Sequence, residues 1–394
     1  MILLLELGLV FFHLLAWVAV GHALLTKRDP RSALGWSVVV LFMPVVGVIA
    51  YAIFGIGRTE SRAAAIMRHN AALAPGYTHP ALGTKVPEQI PEQIRHMEML
   101  GRHLTQQHLC GGNSIEPLVN GNEAYPAMLE AIRRAKDHVY LLTYIFNSGE
   151  VADSFAEELT AAVQRGVDVR ILLDGLGRFY SFRTPVRRIA KAGARVAYFL
   201  PPRLFPRNLM INLRDHRKLL VCDDVAFTGG MNIADYHVVL PGRRHCVQDM
   251  QFCCQGPITR ELRRAAEKGV DVKVILPAKN NLFYVHWATF RLLRPLLQAG
   301  VRVFYQKPPF AHTKLLAIDD YYCQIGSANY DARSLRLNFE LNTEIFDTAF
   351  NGVISSFMEE KLRDSREITT DILDSFSLFK KLRNAAFWLF SPYL

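Results

Sequence analysis

No two of the six cysteines form a Cys-x-x-Cys pair, and none has the spacing of a zinc site. Cys110, Cys222, Cys246, Cys253, Cys254 and Cys323 fall mostly in apolar, strand-like runs, where a thiol acts as a small hydrophobe. This excludes a zinc- or disulfide-stapled scaffold and favours reduced thiols facing a cytoplasmic compartment. Clustered carboxylates that would gather a Mg²⁺ ion are also missing, so the reading includes no metal and no cofactor. Before the first apolar run there is no basic segment, and a second run follows at once, so a cleaved signal peptide is a poor fit. Acidic residues are the scarcer charge, 36 against 46 Lys and Arg, for a formal balance of +10. Such a surplus points to an anionic partner, either nucleic acid or an acidic membrane surface. With half its residues hydrophobic, the chain is too apolar for extensive disorder, and 394 residues imply two or three structural units.

Two long apolar runs open the chain, at residues 2–25 and 33–55. Each is long enough for a hydrocarbon core of ~30 Å. They predict a two-helix transmembrane hairpin with the loop "TKRDPRS", residues 1–57 forming the anchor. Both ends then lie on one side of the membrane. Lys27, Arg28 and Arg31 in the loop balance Arg58, Arg62 and Arg68 downstream, so the positive-inside rule leaves the orientation open. Glu6 and His13 fall within the first span, with no neighbours that complete a site. Pro44 and Gly47 are expected to bend the second span.

Beyond a linker at 58–115, the body repeats itself. "AAVQRGVDVRILLDGLG" (161–177) matches "RAAEKGVDVKVILPAKN" (264–280), and "IAKAGARVAYF" (189–199) matches "LLQAGVRVFYQ" (296–306). Each reads as the end of an amphipathic helix, a glycine stop and an apolar strand. Helices alternating with short strands predict an α/β fold with a largely parallel sheet, and the doubling predicts two halves, 116–256 and 257–365. The first half opens with a helix and strand at 122–149 that have no counterpart in the second, which therefore reads as shortened at its start. The insert "LPPRLFPRNLMINLRD" (200–215) is basic and apolar and suits an entrance to a site. A basic aromatic tail, 366–394, suits either an anionic surface or packing on the domain.

The third repeated element carries the chemistry: "HRKLLVCDDVAFTGGMN" from 216 and "HTKLLAIDDYYCQIGSAN" from 312. Residues i and i+2 of a strand share a face, so His216 pairs with Lys218 and His312 with Lys314. Gly229, Gly230 and Asn232, and likewise Gly326, Ser327 and Asn329, follow at turn-like positions that aim amides at the same face. Packed about a pseudo-two-fold axis, the two halves make a cationic, donor-rich gap suited to a phosphate group. One neutral histidine there can attack phosphorus while the other, protonated, serves the leaving oxygen.

These residues resemble the phospholipase D superfamily. Its His-x-Lys-x4-Asp pattern is met by His312, Lys314 and Asp319, and by His216, Lys218 and Asp223. Asn232 comes one residue early after a turn shortened to "DD". The resemblance implies a catalytic set of those six residues, with Asn232, Ser327 and Asn329 holding phosphate. It also implies an acid that orients each histidine: Glu340 in "NFELNTE" fits the second half, Asp249 in "QDMQ" the first. Asp223 and Asp319 close their strands and are open to either a structural or a chemical role.

Within the superfamily the chain looks most like bacterial cardiolipin synthases, on "W…MPVVG…Y…FG" in the anchor, the 122–149 segment and "DHRKLLVCDDVAFTGGMNIAD". That implies two phospholipase D-like α/β repeats behind a transmembrane hairpin in the bacterial inner membrane, with a cytoplasmic catalytic domain. It implies phosphatidyl transfer between two phosphatidylglycerol molecules, giving cardiolipin and glycerol through a phosphatidyl-histidine. The expected partners are phosphatidylglycerol, other anionic phospholipids and the membrane, not nucleic acid. Phosphatidylserine synthase, a phospholipase D hydrolase and an inactive lipid-binding protein remain alternatives.

Overall fold

The structure is a computed structural model. It describes residues 2–27, 30–56, 92–105, 109, 111–181, 184–202, 213–240, 242, 245–255, 286–290, 293–294, 303–318, 320–329, 334 and 338–388. The chain divides into two units, Met1–Ala72 and Leu73–Leu394.

The first unit holds α1 (Ile2–Thr26), α2 (Pro30–Phe42) and α3 (Pro44–Ala50), followed by a π-helical turn at Tyr51–Gly55. The break before α3 falls at Met43, because Pro44 cannot donate to the preceding turn but suits a first helical position. A Cβ on Gly47 would stand 2.5 Å from the Val39 carbonyl, so only glycine lets the chain bend this closely. Ala16, Ala19, Val20 and Ala23 of α1 pack against Val40 and Tyr51. Over the described residues, no helix is long and apolar enough to cross a membrane. The expected hairpin anchor therefore rests on the sequence.

The second unit begins with α4 (Glu92–Thr105), β1 (Ser114–Val119), α5 (Asn120–Arg134), β2 (His138–Thr143), α6 (Glu150–Gln164) and β3 (Asp168–Asp174). There follow α7 (Val186–Lys191), β4 (Arg195–Phe199), β5 (Leu219–Cys222), β6 (Val225–Gly229), β7 (Val247–Gln248) and β8 (Met250–Gln255). A seven-stranded sheet runs in the order β1-β8-β6-β5-β2-β3-β4. Only β2, β3 and β4 are parallel; the other neighbours are antiparallel. The expectation of a largely parallel sheet is corrected accordingly. A two-residue turn at Asp223–Asp224 joins β5 to β6, and a connection that short can only reverse the chain.

One face of this sheet is covered by helices. In α6, Ala152, Phe155, Ala156, Leu159 and Ala162 recur at helical spacing and are fully buried; α5 adds Ala124, Met128 and Ile132. Leu220 and Cys222 point to this layer, while Leu219 and Val221, one residue off, point to the other.

The opposite face meets the second half: β9 (Val303–Tyr305), β10 (Phe310–Ala311), β11 (Leu315–Ile318), β12 (Tyr322–Gly326), β13 (Asn342–Phe346), α8 (Thr348–Arg363), β14 (Arg366–Ile368), α9 (Thr370–Asp374) and α10 (Leu378–Trp388). Strands β11, β12 and β13 form an antiparallel sheet. Leu315, Cys323, Ile325 and Leu341 pack with Leu219, Val221, Ala226 and Phe252 in one buried cluster. Burying each large side chain of that set contributes roughly 1.5–3 kcal/mol. The repeated segment 264–280, most of 296–306 and the reading of a shortened second half lie outside the described residues. In the tail, Arg383 stacks 4.0 Å from the Trp287 ring and Lys380 stacks 3.4 Å from that of Phe376, so α10 packs on its own unit. Leu378, Phe379 and Leu382 stay exposed.

Candidate active site

His216 lies three residues before the buried strand β5, and His312 three residues before β11. Each is positioned by a short parallel pairing with the other half. Asp215 bridges Phe339, and Ala311 pairs with Gln248. The His216 N–H donates to the Phe339 carbonyl at 2.9 Å, the His312 N–H to the Gln248 carbonyl at 2.8 Å. The next residues along the partner segments are Glu340 and Asp249. Accordingly Glu340 Oε2 lies 3.2 Å from His216 Nδ1, and Asp249 Oδ2 lies 2.7 Å from His312 Nδ1. The acids are thus crossed between the halves, each holding the histidine of the other. Sequence order grouped each acid with its own half; the parallel pairing overrides that grouping.

The two imidazoles lie edge to face, with ring centroids 6.4 Å apart and planes at 76°. Lys218 and Lys314 lie beside their histidines, as the strand spacing required, and each donates to the carbonyl of the histidine two residues before it. Both are buried.

The turn residues differ in what they do. The Asn232 side-chain oxygen accepts the Ile145 N–H at 3.1 Å, which leaves its amide nitrogen 3.5 Å from the Tyr236 hydroxyl. Asn329 is half-buried. The early arrival of Asn232 has a simple explanation. Leu219 pairs with Thr228 across a two-residue turn, Leu315 with Ile325 across a three-residue one. Each asparagine follows four residues after its paired position, so the turn absorbs the missing residue. Ser327 is fully buried; its hydroxyl donates to Glu340 at 2.8 Å and accepts the Leu341 N–H at 3.0 Å. That places the serine behind the acid.

Asp223 stands at the far end of β5, roughly 20 Å along the strand from His216. Its carboxylate accepts the backbone N–H groups of Lys136, Asp137 and His138 at 2.7, 3.1 and 2.9 Å. It ties the β5–β6 turn to the start of β2 and does not reach His216 or His312. Asp319 lies outside the described residues.

Charge is concentrated here. Burial alone would raise Asp249, but the His312 ring and Lys314 hold its carboxyl at about 2. Glu340 is likewise pulled down, against burial, by His216, Lys218 and the Ser327 hydroxyl. Burial, with Lys314 close by, lowers the Lys218 ammonium to about 7. Burial and the two lysines push His312 down to about 3, against the pull of Asp249. With both acids ionised, each Nδ1–H is the donor to its carboxylate, and the lone pair of each Nε2 is left for other chemistry. A phosphate anion entering the gap reverses the lysine penalty and draws protons in.

Several residues here gave no signal in the sequence. The Asp174 carboxylate is buried and accepts the Leu176, Gly177 and Asp215 N–H groups at 2.8, 3.2 and 2.9 Å, with Arg214 at 3.3 Å. Arg217 forks onto Asp215 at 2.8 and 2.6 Å. His237 is buried, takes the Asn232 N–H on Nε2 at 3.3 Å and lies 6.4 Å from the His312 ring. Five residues after the second asparagine, the matching position is Ser334, so repetition did not mark His237.

The model of the family "Cardiolipin synthase, PLD-like domain" matches residues 128–240 and 244–362, most of the second unit. The chain belongs to that family. Residues 14–55 match the "Phospholipase_D-nuclease N-terminal" family. The cardiolipin synthase of Oceanobacillus iheyensis is 26% identical, with 98% of each chain covered. The major cardiolipin synthase of Bacillus subtilis is 25% identical at the same coverage. Those alignments run to 474 and 478 positions, longer than this 394-residue chain, so these relatives carry residues opposite which it has none. A phosphatidylserine synthase structure from Haemophilus influenzae covers 71% of this chain and 95% of its own, at a TM-score of 0.50 and 14% identity. The fold is the phospholipase D-like α/β fold with two repeats.

Proposed function

We propose that the chain is a cardiolipin synthase that moves a phosphatidyl group from one phosphatidylglycerol to the terminal hydroxyl of another. The observation that carries this is the crossed pair of acid-held histidines, 6.4 Å apart, in a chain with full-length cardiolipin synthase relatives. Rings this close put both imidazoles within reach of a single phosphorus held between them. His216 Nε2 attacks phosphorus, the bond to the glycerol oxygen breaks, and protonated His312 supplies that oxygen with its proton. A phosphatidyl-histidine and free glycerol result. His312, now neutral, takes the proton of the incoming hydroxyl; its oxygen displaces His216 and cardiolipin leaves. Lys218, Lys314, Asn232 and Asn329 hold the non-bridging oxygens. Glu340 and Asp249 fix the tautomers, and Ser327 steadies Glu340.

The membrane anchor belongs to the same reading. It is supported by the apolar runs 2–25 and 33–55 and by the family match at 14–55. We read the chain as a bacterial inner-membrane protein with its catalytic unit on the cytoplasmic side, as the resemblance to bacterial cardiolipin synthases implies. A chain shorter than those relatives is supported by the length of the alignments, and the repeat in the sequence puts the loss at the start of the second half.

The test is turnover of labelled phosphatidylglycerol by the purified full chain, with and without chelator, beside His216→Ala and His312→Ala. Cardiolipin and glycerol from the wild type alone support the proposal. Phosphatidic acid alone makes the protein a hydrolase, and no turnover with lipid retained makes it a binding protein.

A further inference from the structure

The turn that follows β3 has no role in the chemistry above. Gly177–Tyr180 forms a 3-10 turn, and it carries two adjacent aromatic side chains out of the surface: Phe179 is 51% exposed and Tyr180 63%. Exposed apolar side chains scattered singly are ordinary, but a neighbouring aromatic pair beside a polar catalytic gap calls for a partner. Its connection to the gap is direct. The Tyr180 ring lies 6.0 Å from that of Tyr144, and the Tyr144 ring lies 5.1 Å from that of His216.

The turn is also clamped to the catalytic strand. One carboxylate, Asp174, takes the Leu176 and Gly177 N–H groups on Oδ1 and the Asp215 N–H on Oδ2, at 2.8, 3.2 and 2.9 Å. Asp215 is the residue before His216. A Cβ on Gly177 would stand 1.7 Å from the Tyr144 carbonyl, so the turn is pressed onto the residue that also meets the histidine ring. Ser181, which closes the turn, is buried again. The aromatic pair is thus a raised lip on a fixed base.

Its composition selects the partner. Arg178 stacks 5.5 Å from both the Phe179 and Tyr198 rings, setting a cation beside the aromatics in a chain of net +10. A phenyl ring, a phenol with a polar tip and a guanidinium are what the headgroup layer of an anionic bilayer accepts. We infer that Phe179 and Tyr180 form an interfacial lip that inserts into the headgroup region of an anionic phospholipid bilayer and passes lipid to the histidine gap. This rests on the proposed phosphatidyl transfer, whose substrates reside in such a bilayer.

The experiment separates delivery from chemistry. The full-length Phe179→Asp/Tyr180→Asp double variant and wild type are compared on long-chain phosphatidylglycerol in nanodiscs and on dihexanoyl phosphatidylglycerol below its micelle concentration. The expected result is a loss of roughly tenfold or more on the bilayer substrate, with soluble-substrate turnover within about twofold of wild type. The intact soluble activity also shows that the variant folds. Equal losses on both substrates, as for a lip that only contacts the reacting headgroup, overturn the inference; so does no loss on either. A second readout does not depend on turnover. Tyr180→Trp fluorescence in nanodiscs is expected to be quenched by lipids carrying a doxyl label near the headgroup, beyond the wild-type background of Trp17, Trp36, Trp287 and Trp388. An unquenched signal from the introduced indole rejects the lip even if the enzyme is active. Quenching without any turnover retains the lip and rejects the synthase.

Discussion

The Glu340 carboxylate reaches His216 across 124 residues of sequence, at 3.2 Å, while Asp249 reaches forward to His312 at 2.7 Å. Neither half therefore contains a complete acid–histidine pair.

Replacing either acid by its amide keeps the shape but removes the charge that orients the ring. Asp249→Asn and Glu340→Gln are each expected to lower kcat by about 10²–10⁴ with KM little changed. Combined with His312→Ala, Asp249→Asn is expected to add almost nothing, because both act through one ring. Steady-state turnover of phosphatidylglycerol, with circular dichroism as the folding control, checks this; a fully additive double variant rejects the pairing.

Anion binding is expected to take up protons. Burial and the neighbouring lysines depress Lys218 to about 7 and His312 to about 3, and a phosphate anion favours the protonated form of each. As pH rises above about 7 the free enzyme loses the Lys218 charge, so affinity for inorganic phosphate is expected to fall by up to about tenfold per pH unit. Calorimetry at pH 7.5 in two buffers of different ionisation enthalpy reads the uptake directly. Equal heats in both buffers contradict it.

Asp223 supports the fold. Asp223→Ala removes the acceptor of three backbone N–H groups and places alanine at φ +47, where it is strained. A loss of about 1–3 kcal/mol is expected in denaturant unfolding, with kcat/KM of the folded protein within a few-fold of wild type. A catalytic collapse at unchanged stability rejects this role. The carboxyl itself sits below its ordinary range, its burial outweighed by those three N–H donors. The stability it contributes is present above the unfolded carboxylate range and lost as pH falls through the lower folded value.

His237 is the buried acceptor for the Asn232 N–H. Burial and the lysines lower it to about 4, so it stays neutral at neutral pH. His237→Gln, which retains an acceptor, is expected to keep most of the activity. His237→Ala is expected to cost about tenfold in kcat/KM through a displaced Asn232 amide. Equal losses in the two variants reject the acceptor role.

What could be read from the chain was what occurs twice. His216 and His312, their lysines and their asparagines all came from a repeated string, and the structure brings the histidines to one gap. Asp249 and Glu340 were found as residues but not as pairs, since pairing depends on which strands bridge. Asp174, Arg214 and His237 occur once and look like ordinary polar residues; only burial reveals them. Ser327 was legible as part of a phosphate-holding turn, and its hydroxyl faces an acid instead because Glu340 lies beneath it. The parallel reading of the sheet failed where tight hairpins set the direction, information carried by turn length alone.

The unequal turns have a practical side. One half closes its strand pair in two residues and the other in three, yet both asparagines keep their distance from the paired position. Chain length at that end is uncoupled from the reactive end. The longer turn, at the exposed Asp320, is therefore a natural place to splice in an epitope or a fluorogenic peptide without disturbing turnover.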